Sequence, residues 1–247
     1  METMTETKTR RPRRSKADIE SAIMRAAIAQ IKKKGFSMAL VTDIVKRAKI
    51  EPIVFYNRYK NLEEFYDNFV KRFDYWISDL MRCINGNLYT EKGYGDALEK
   101  LLKGLLGDAI MTELLRWEVT EGTNITERTS RLREIDCTHI ISKYEEHFTD
   151  RDVDIIALTA LSIAGIYYMV LHKDRSTFGG IDINTEEGVN RLSNAIRQQA
   201  EILFQHHKRK VKMERLEECL REEGLSDEAI TRCLEKVGLR LREESPA

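Results

Sequence analysis

The stretch from residue 35 to residue 65 reads GFSMALVTDIVKRAKIEPIVFYNRYKNLEEF and carries the strongest structural signal in the chain. Four of its apolar residues follow the i, i+3, i+4, i+7 spacing of one helix face, which predicts a short helix. They are Val41, Ile44, Val45 and Ala48. After a turn at residues 49–51, Pro52 fits the first turn of another helix, where its missing N–H costs no hydrogen bond.

A longer helix precedes this pair. Its apolar side chains recur on one face: Ile19, Ala22, Ile23, Ala26, Ala27 and Ile31. We expect it to begin near Lys16 and to stop at Gly35. A supporting helix followed by two short ones is the helix-turn-helix plan, in which the second short helix enters the major groove of DNA. A generic three-helix bundle is the alternative interpretation.

Charge is distributed unevenly along the chain, although the formal net charge is zero. Residues 1–60 contain fifteen Lys and Arg against six Asp and Glu, so the remainder carries an acidic excess of nine. A basic segment on an acidic body is the pattern expected of a nucleic-acid binder. A solvated basic tail without a partner would have the same composition.

The first fifteen residues form a polar, basic arm that we expect to be disordered. Its arginines adjoin the first helix, where they can follow DNA phosphates or enter a narrow minor groove. They are Arg10, Arg11, Arg13 and Arg14, with Lys16 beyond them. Phosphate contacts would make binding steeply salt-dependent. A solubilising tail is the alternative.

About fifty residues of this region resemble the DNA-binding domain of TetR/AcrR-type regulators. The resemblance rests on Gly35-Phe36, the helix at 41–48, the FYNRY run at 55–59 and the LEEF run at 62–65. Such regulators are typically homodimers with a three-helix DNA-binding domain. Their helical body holds a small effector and dimerises through its last two long helices. The resemblance implies a transcription regulator, with repression as the commoner mode.

Single residues also receive roles from the resemblance. It places the reading helix at about residues 52–59, with its tip nearest the bases, and assigns a phosphate contact to Tyr56 and a base or backbone contact to Asn57. Ala48, Ile50, Phe55 and Tyr59 match packing positions. Together with the arm, the predicted DNA-contacting residues are Arg11, Arg13, Arg14, Lys16, Thr42, Pro52, Ile53, Val54, Tyr56, Asn57 and Lys60.

The sequence departs from the family pattern at several positions. Lys49 stands where a turn glycine is usual, and Leu40 replaces the small residue before the second helix. Leu62 replaces a lysine that opens the fourth helix, and Lys60 lies close enough to substitute for it. The tip at residues 51–54 is acidic and apolar, so it would have to contact thymine methyl groups or a cytosine amino group.

Helical patterns continue to the end of the chain, without convincing strands. They span about 62–84, 94–106, 108–121, 126–148 and 150–173, then a helix from Asn184 and two short helices at 211–223 and 226–241. The predicted fold is all-α. It comprises the arm (1–15), a three-helix helix-turn-helix domain (16–61), a larger effector-binding and dimerisation domain (62–208) and an extension with a short helical hairpin (209–247).

The uncharged run at residues 155–171 is long enough to raise the question of a membrane span. Charged residues bound it closely on both sides, and small residues along it would let another helix approach. We favour burial in a core or an interface over a membrane. The helices at 150–173 and 185–207 are accordingly predicted to form a four-helix interface in a homodimer.

Aromatic and methionine side chains of the body are candidates for an effector pocket, although such residues are more often plain core. The predicted set is Phe73, Ile77, Met81, Met111, Trp117, His139, Tyr144 and Tyr168. An apolar or amphipathic small molecule would suit it. By resemblance, that molecule would shift the balance between two dimer geometries and so change operator binding.

An enzyme is not expected, because the sequence contains neither a glycine-rich phosphate loop nor a nucleophile motif. The four cysteines have no metal-binding spacing, so neither a metal site nor a cofactor is predicted. Without a signal peptide pattern, we expect a cytoplasmic protein. A helical interaction or sensor protein that has lost specific DNA binding is the alternative, followed by a membrane-associated helical protein.

Overall fold

The computed structural model describes residues 14–72, 88–148 and 153–237, with the side chain of Lys210 excepted. Within these ranges the chain forms ten helices. They are α1 (Lys16–Lys34), α2 (Val41–Ala48), α3 (Pro52–Tyr56), α4 (Leu62–Val70), α5 (Glu91–Gly107), α6 (Ala109–Thr120), α7 (Asn124–His147), α8 (Ile155–His172), α9 (Glu186–Glu222) and α10 (Asp227–Lys236). The one extended pairing among the described residues is a bridge between Phe178 and Ile181. The predicted all-α class is confirmed.

α1 begins and ends where its sequence signals predict. The Ser15 hydroxyl accepts a hydrogen bond from the Asp18 N–H, and the Asp18 carboxylate accepts one from the Ser15 N–H, each at 3.1 Å. This reciprocal cap satisfies two backbone donors at the start of the helix. At the other end Gly35 has a φ of 78°, which a residue without Cβ adopts at no steric cost.

α4 is shorter than predicted. The sequence pattern extended this helix to about residue 84, but it ends at Val70 and is followed by a turn at residues 71 and 72. The Arg72 N–H donates to the carbonyl of Phe69, three residues back, at 3.1 Å. The chain therefore tightens there instead of continuing as an α-helix. The rest of the predicted helix lies outside the described residues.

The chain divides into two compact units. The described part of the first comprises residues 14–72 and 103–136, so that α1–α4 belong with α6 and the first half of α7. Aromatic side chains dominate its interior: Phe36, Phe55, Phe65, Tyr66, Phe69 and Trp117 are all buried. The helices predicted to bind DNA therefore share a core with α6.

The second unit, as described, comprises residues 88–102, 137–148 and 153–237. Its aromatic cluster has neighbouring ring centroids 4.6–6.4 Å apart and consists of Tyr94, Tyr144, Phe148, Phe204 and His207. Gly95 lets α5 approach α9, since a Cβ at this position would lie 3.5 Å from that of Ala200. The buried carboxylate of Glu99 accepts from Arg197 Nε at 2.9 Å, which fixes the same pair of helices.

α8 is the helix with the uncharged sequence. Among the described residues, α8 is the one helix whose length and composition would allow it to cross a membrane. Its mean hydropathy is 1.8. Only 22% of the helix is buried within the chain, so of the two predicted environments, a core or an interface, the chain's own core is not the one found. Leu161 is 69% exposed and Tyr168 48% exposed. The helix was predicted from residue 150, but its N-cap is Asp154, which accepts from the Ala157 N–H at 2.8 Å.

α9 is one continuous helix of 37 residues. The sequence pattern predicts an end near residue 207 and a new helix from 211, and this prediction is wrong because no break separates the two. Its N-cap is Thr185, whose hydroxyl accepts from the Gly188 N–H at 3.1 Å, and not the predicted Asn184. The Asn184 side chain instead donates to the carbonyl of Lys173 at 2.8 Å. α10 follows with Ser226 as its predicted cap.

Candidate nucleic-acid interface

The turn between α2 and α3 departs from ordinary backbone geometry at Lys49. This residue has φ 54° and ψ 54°, the left-handed region that non-glycine residues rarely adopt. The guanidinium of Arg14 crosses to the same turn, where its Nη1 donates to the carbonyls of Ala48 at 2.9 Å and Lys49 at 3.5 Å. The beginning of α1 therefore supports the end of α2.

One side of α3 packs into the interior and the other side is exposed to solvent. Phe55 is fully buried, with its ring centroid 5.2 Å from that of Tyr59 and 5.5 Å from that of Phe65. The opposite side presents Ile53, which is 63% exposed, and Tyr56, which is 50% exposed. A short helix anchored by one aromatic residue can thus offer an apolar and an aromatic side chain to a partner.

Most of the predicted DNA-contacting residues are on the surface. Exposed members are Arg14, Lys16, Thr42, Pro52, Ile53, Tyr56, Asn57 and Lys60. Val54 is half-buried, and its carbonyl accepts from Arg58 Nη1 at 2.8 Å. Arg11 and Arg13 lie outside the described residues. α3 brings the predicted tip residues together with Tyr56 on five consecutive positions, and Asn57 caps its end.

The connection from α3 to α4 is fixed by backbone hydrogen bonds. The Lys60 N–H donates to Glu64 Oε2 at 2.5 Å, and the Asn61 side chain accepts from the Glu64 N–H at 2.8 Å. This reciprocal arrangement places Asn61 as the N-cap of α4 and leaves the Lys60 side chain exposed. Leu62, which stands where the family usually has a lysine, is half-buried.

The start of α2 is held by an ion pair instead of a capping side chain. Its N-cap residue Leu40 makes no side-chain cap hydrogen bond. Lys34 Nζ lies 2.8 Å from Asp43 Oδ2, and this hydrogen bond lowers the pKa of the Asp43 carboxyl. The paired carboxylate sits beside Thr42, a predicted phosphate contact, so its charge is partly neutralised there.

α4 and α6 both support the segment that leads into α2. The Tyr66 hydroxyl donates to the carbonyls of Ala39 at 2.6 Å and Phe36 at 3.1 Å, and its burial raises the pKa of the phenol. Trp117 Nε1 donates to Glu121 Oε2 at 2.9 Å, and the Ser37 hydroxyl donates to the other oxygen of that carboxylate. These contacts fix both ends of residues 36–39.

Three basic residues that the sequence analysis did not select lie beside the turn. Arg25, Arg47 and Lys49 line a surface depression of about 270 Å³ together with Arg14. Arg25 belongs to α1, whereas Arg47 and Lys49 belong to the end of α2. No signal in the sequence marks Arg25 or Arg47 as part of a site, because an exposed arginine on a helix is ordinary.

The predicted effector-pocket residues are dispersed. Met111 and Trp117 are buried in the first unit, and Tyr144 is buried in the second, where its hydroxyl donates to the carbonyl of Leu88 at 2.5 Å. His139 and Tyr168 are exposed. Phe73, Ile77 and Met81 lie outside the described residues. Within the described ranges, no group of three or more His, Cys, Asp or Glu side chains is placed to hold a metal ion.

Comparison with known proteins gives the fold but no sequence relative. No protein-family model matches the chain, and no curated protein matches it. A TetR family transcription regulator from Marinobacter aquaeolei VT8 superposes with a TM-score of 0.53 and 17% identity, covering 74% of this chain and 95% of that one. The fatty acid degradation regulator FadR from Bacillus halodurans gives 0.52 and 15%, covering 76% and 96%. The chain therefore has the fold of TetR-type regulators, as the resemblance of its helix-turn-helix residues predicted.

Proposed function

We propose that the protein is a DNA-binding transcription regulator that represses by occupying DNA upstream of its own gene. The observation that carries this proposal is the two-sided character of α3, where buried Phe55 anchors the helix and exposed Ile53 and Tyr56 face outward. In helix-turn-helix proteins such a helix lies in the major groove. The similarity of the whole fold to two transcription regulators supports the same conclusion.

Binding as a homodimer is the second part of the proposal. The apolar side of α8 is exposed in the single chain, where Leu161 is its most exposed large apolar residue, and Ile202 on α9 is 67% exposed. A helix this apolar is more stable when another surface covers it. A symmetric pair of chains would bury both helices and present two α3 helices to successive major grooves, about 34–36 Å apart.

An amphipathic small molecule is the effector class that we propose. The second structural neighbour is named for fatty acid degradation, and a molecule with an apolar chain suits a helical body. Measurement of DNA affinity with and without a medium-chain and a long-chain fatty acid tests this. A decrease in affinity, together with a rise in Tm of the free protein, is expected. Unchanged values for both would contradict the proposed class.

DNA recognition is tested with purified protein and its own upstream duplex, against an unrelated duplex as competitor. We expect the upstream duplex to be preferred, and Tyr56→Ala and Asn57→Ala to lose that preference. Asn68→Ala is the matched control, because Asn68 is an exposed asparagine of the same unit and lies on α4. A reporter gene behind the upstream DNA should be more active without the protein than with it.

Dimerisation is tested by sedimentation of Leu161→Glu. The charged residue should convert a dimer into a monomer, while Leu132→Glu, at an exposed leucine on α7, should leave the dimer intact. A wild-type protein that stays monomeric would contradict the dimer. If it also pelleted with membranes after cell lysis, the exposed surface of α8 would bind lipid and not a second chain.

A protein-interaction or sensor role is the second candidate. Glu51 is exposed directly before α3, and its negative charge repels the phosphates of DNA. Equal affinity for the upstream and unrelated duplexes would favour this candidate, because it would leave α3 without sequence-specific contacts.

A further inference from the structure

We propose that Arg14, Arg25, Arg47 and Lys49 form a phosphate-binding site at the junction of α1 and α2, which holds a backbone phosphate of DNA beside the reading helix. The proposal rests on the proposed function and adds to it a contact outside α3. The ligand is a phosphate group, which could come from a DNA phosphodiester or from a free phosphate anion. The DNA backbone is the source that we infer.

Four cationic side chains around one small depression would repel one another. All four line the same space of about 270 Å³, and all four are exposed to solvent. The rest of the lining consists of small side chains, Ala22, Ala26 and Ala48. A water molecule takes about 30 Å³ in the liquid, so the depression has room for a phosphate group. An anion there would remove the repulsion between the cations.

Arg14 is already positioned for such a ligand. Its Nη1 donates to the carbonyls of Ala48 and Lys49, which fixes the plane of the guanidinium against the end of α2. The N–H groups of Nε and Nη2 lie in the same plane on another edge of the guanidinium and have no hydrogen-bond partner among the described residues. A planar guanidinium with one edge fixed can offer two parallel donors to phosphate oxygens.

The backbone of Lys49 gives independent support. The left-handed conformation at φ 54° is unfavourable for a residue with a Cβ, and a glycine would adopt it without this strain. Strained backbone of this kind concentrates at functional sites. A lysine at this position is accounted for if its ammonium group binds a ligand, since a glycine would serve the turn better.

Asp18, an acidic residue in the first turn of α1, is engaged in the helix cap. The Asp18 carboxylate accepts hydrogen bonds from the Ser15 hydroxyl at 2.7 Å and from the Ser15 N–H at 3.1 Å, as part of the α1 cap. These bonds lower the pKa of Asp18, with smaller contributions from the charges of Arg14 and Arg25. The single negative charge of Asp18 is smaller than the four positive charges of the lining residues, so these five groups together remain positively charged.

The site also lies at the correct place in the sequence for DNA. Lys49 is separated from Pro52, the first residue of α3, by only two residues. The start of the reading helix is the end that approaches the bases, and phosphates flank the groove that it enters. A phosphate held here would set the register of α3 and would supply attraction near the acidic Glu51.

The first experiment measures DNA affinity over a range of salt concentrations for wild type, Arg25→Gln/Arg47→Gln and the control Lys32→Gln/Lys33→Gln. The control removes the same charge from exposed positions at the far end of α1. We expect the slope of log K against log salt to become shallower by about 1 in the first variant, as for one lost phosphate contact. An equal effect of the control would overturn the proposal, because general charge would then explain the result.

Lys49→Gly separates a ligand role from a structural one. This variant should have a Tm equal to or above that of wild type, because the strain is removed, and yet bind DNA more weakly. Unchanged affinity for DNA would contradict the role of the ammonium group. Because these measurements use an unrelated duplex as well as the upstream one, they test the site even if no preference for the upstream sequence exists.

The source of the phosphate is tested by the Tm in sodium phosphate and in sodium chloride at equal ionic strength. Equal Tm values for wild type, with a shallower salt slope for the Arg25→Gln/Arg47→Gln variant, support the DNA backbone. A phosphate-specific rise in Tm that this variant loses, with an unchanged salt slope, would replace DNA by the free anion and overturn our assignment of the source.

Discussion

The indole ring of Trp117 lies parallel to the phenyl ring of Phe36, with centroids 4.8 Å apart and an interplanar angle of 6°. Phe36 follows the end of α1, whereas Trp117 belongs to the last part of α6. The stack therefore joins the segment that enters α2 to a helix more than forty residues beyond the predicted DNA-binding domain. The orientation of α2 depends on this contact.

Trp117→Ala should destabilise the protein strongly. Removal of a buried tryptophan leaves a cavity and costs about 3–5 kcal/mol, and the Ser37 and Glu121 contacts would be released with it. Trp117→Phe keeps the stack with Phe36 and should lose clearly less. Urea denaturation followed by circular dichroism measures both changes. Equal losses would show that the ring stack is unimportant beside the indole hydrogen bond.

Leu40→Ser should stabilise the protein by about 1 kcal/mol. Leu40 occupies the N-cap position of α2 with φ −85° and ψ 157°, the extended geometry that a capping serine needs. Its side chain is 54% exposed, so little apolar burial would be lost. The urea midpoint of Leu40→Ala provides the control, because alanine removes the same side chain and cannot cap. A serine variant no more stable than the alanine variant would refute the expectation.

Glu118 and Arg133 form a two-point ion pair in the interior of the first unit. Arg133 Nη1 donates to Glu118 Oε1 at 2.9 Å, Nη2 donates to Oε2, and the Arg133 side chain is only 9% exposed. Glu118→Ala should cost about 3–5 kcal/mol because it leaves a buried charge without a partner. The double variant Glu118→Leu/Arg133→Met should be closer to wild type than either Glu118→Leu or Arg133→Met alone. A fully additive cycle would mean that the two groups do not interact.

Asp67 should contribute to stability at neutral pH and lose this contribution in acid. Partial burial raises the pKa of its carboxyl, but hydrogen bonds from Lys71 and Arg128 outweigh this effect and the pKa is lowered. A lowered folded-state pKa adds stability above the unfolded value of about 3.9, and the gain disappears as the pH falls through the folded value.

The measurement is the free energy of unfolding of wild type and Asp67→Asn from neutral pH downward. The difference between the two should be constant above about pH 5 and should shrink below about pH 4. Asp174→Asn, at an exposed aspartate of the second unit, should follow the wild-type curve throughout. A difference between wild type and Asp67→Asn that persists at the lowest pH would exclude the ion pairs as its cause.

Local signals predicted the start of the fold accurately. Gly35 and the apolar face from Ile23 to Ile31 are properties of neighbouring residues, and so they can be recognised without tertiary structure. Pro52 likewise marks the first residue of α3. In this part of the chain, the family resemblance and the helix periodicity pointed to the same boundaries.

The predicted bounds of α9 were wrong at both ends. The sequence turns basic after His207, which suggested a helix end there, but a change from apolar to charged residues does not end a helix. Helices end at glycine, proline or capping residues, and the next such signal is Gly224. The Thr185 cap was missed for a different reason, since Asn184 beside it is an equally good capping residue by type.

Contacts between distant residues could not be predicted at all. The bond from Arg14 to the Ala48 carbonyl spans 34 residues, and the pairing of Arg128 with Asp67 spans 61. Arg25 and Arg47 gave no sequence signal of their own, because an exposed arginine on a helix is ordinary. Only the packing of α1 on α2 places them around one depression.

The unbroken course of α9 restricts how its last part can change. A helix of 37 residues is about 55 Å long, and each residue turns the following ones by about 100° around the axis. One residue inserted near Leu203 would therefore rotate everything from Val211 onward away from its present direction, and a deletion would do the same. Insertions of seven residues would restore that direction to within about 20°. Length variation among natural relatives of this chain should accordingly occur in steps of whole turns before Gly224, and freely only after it.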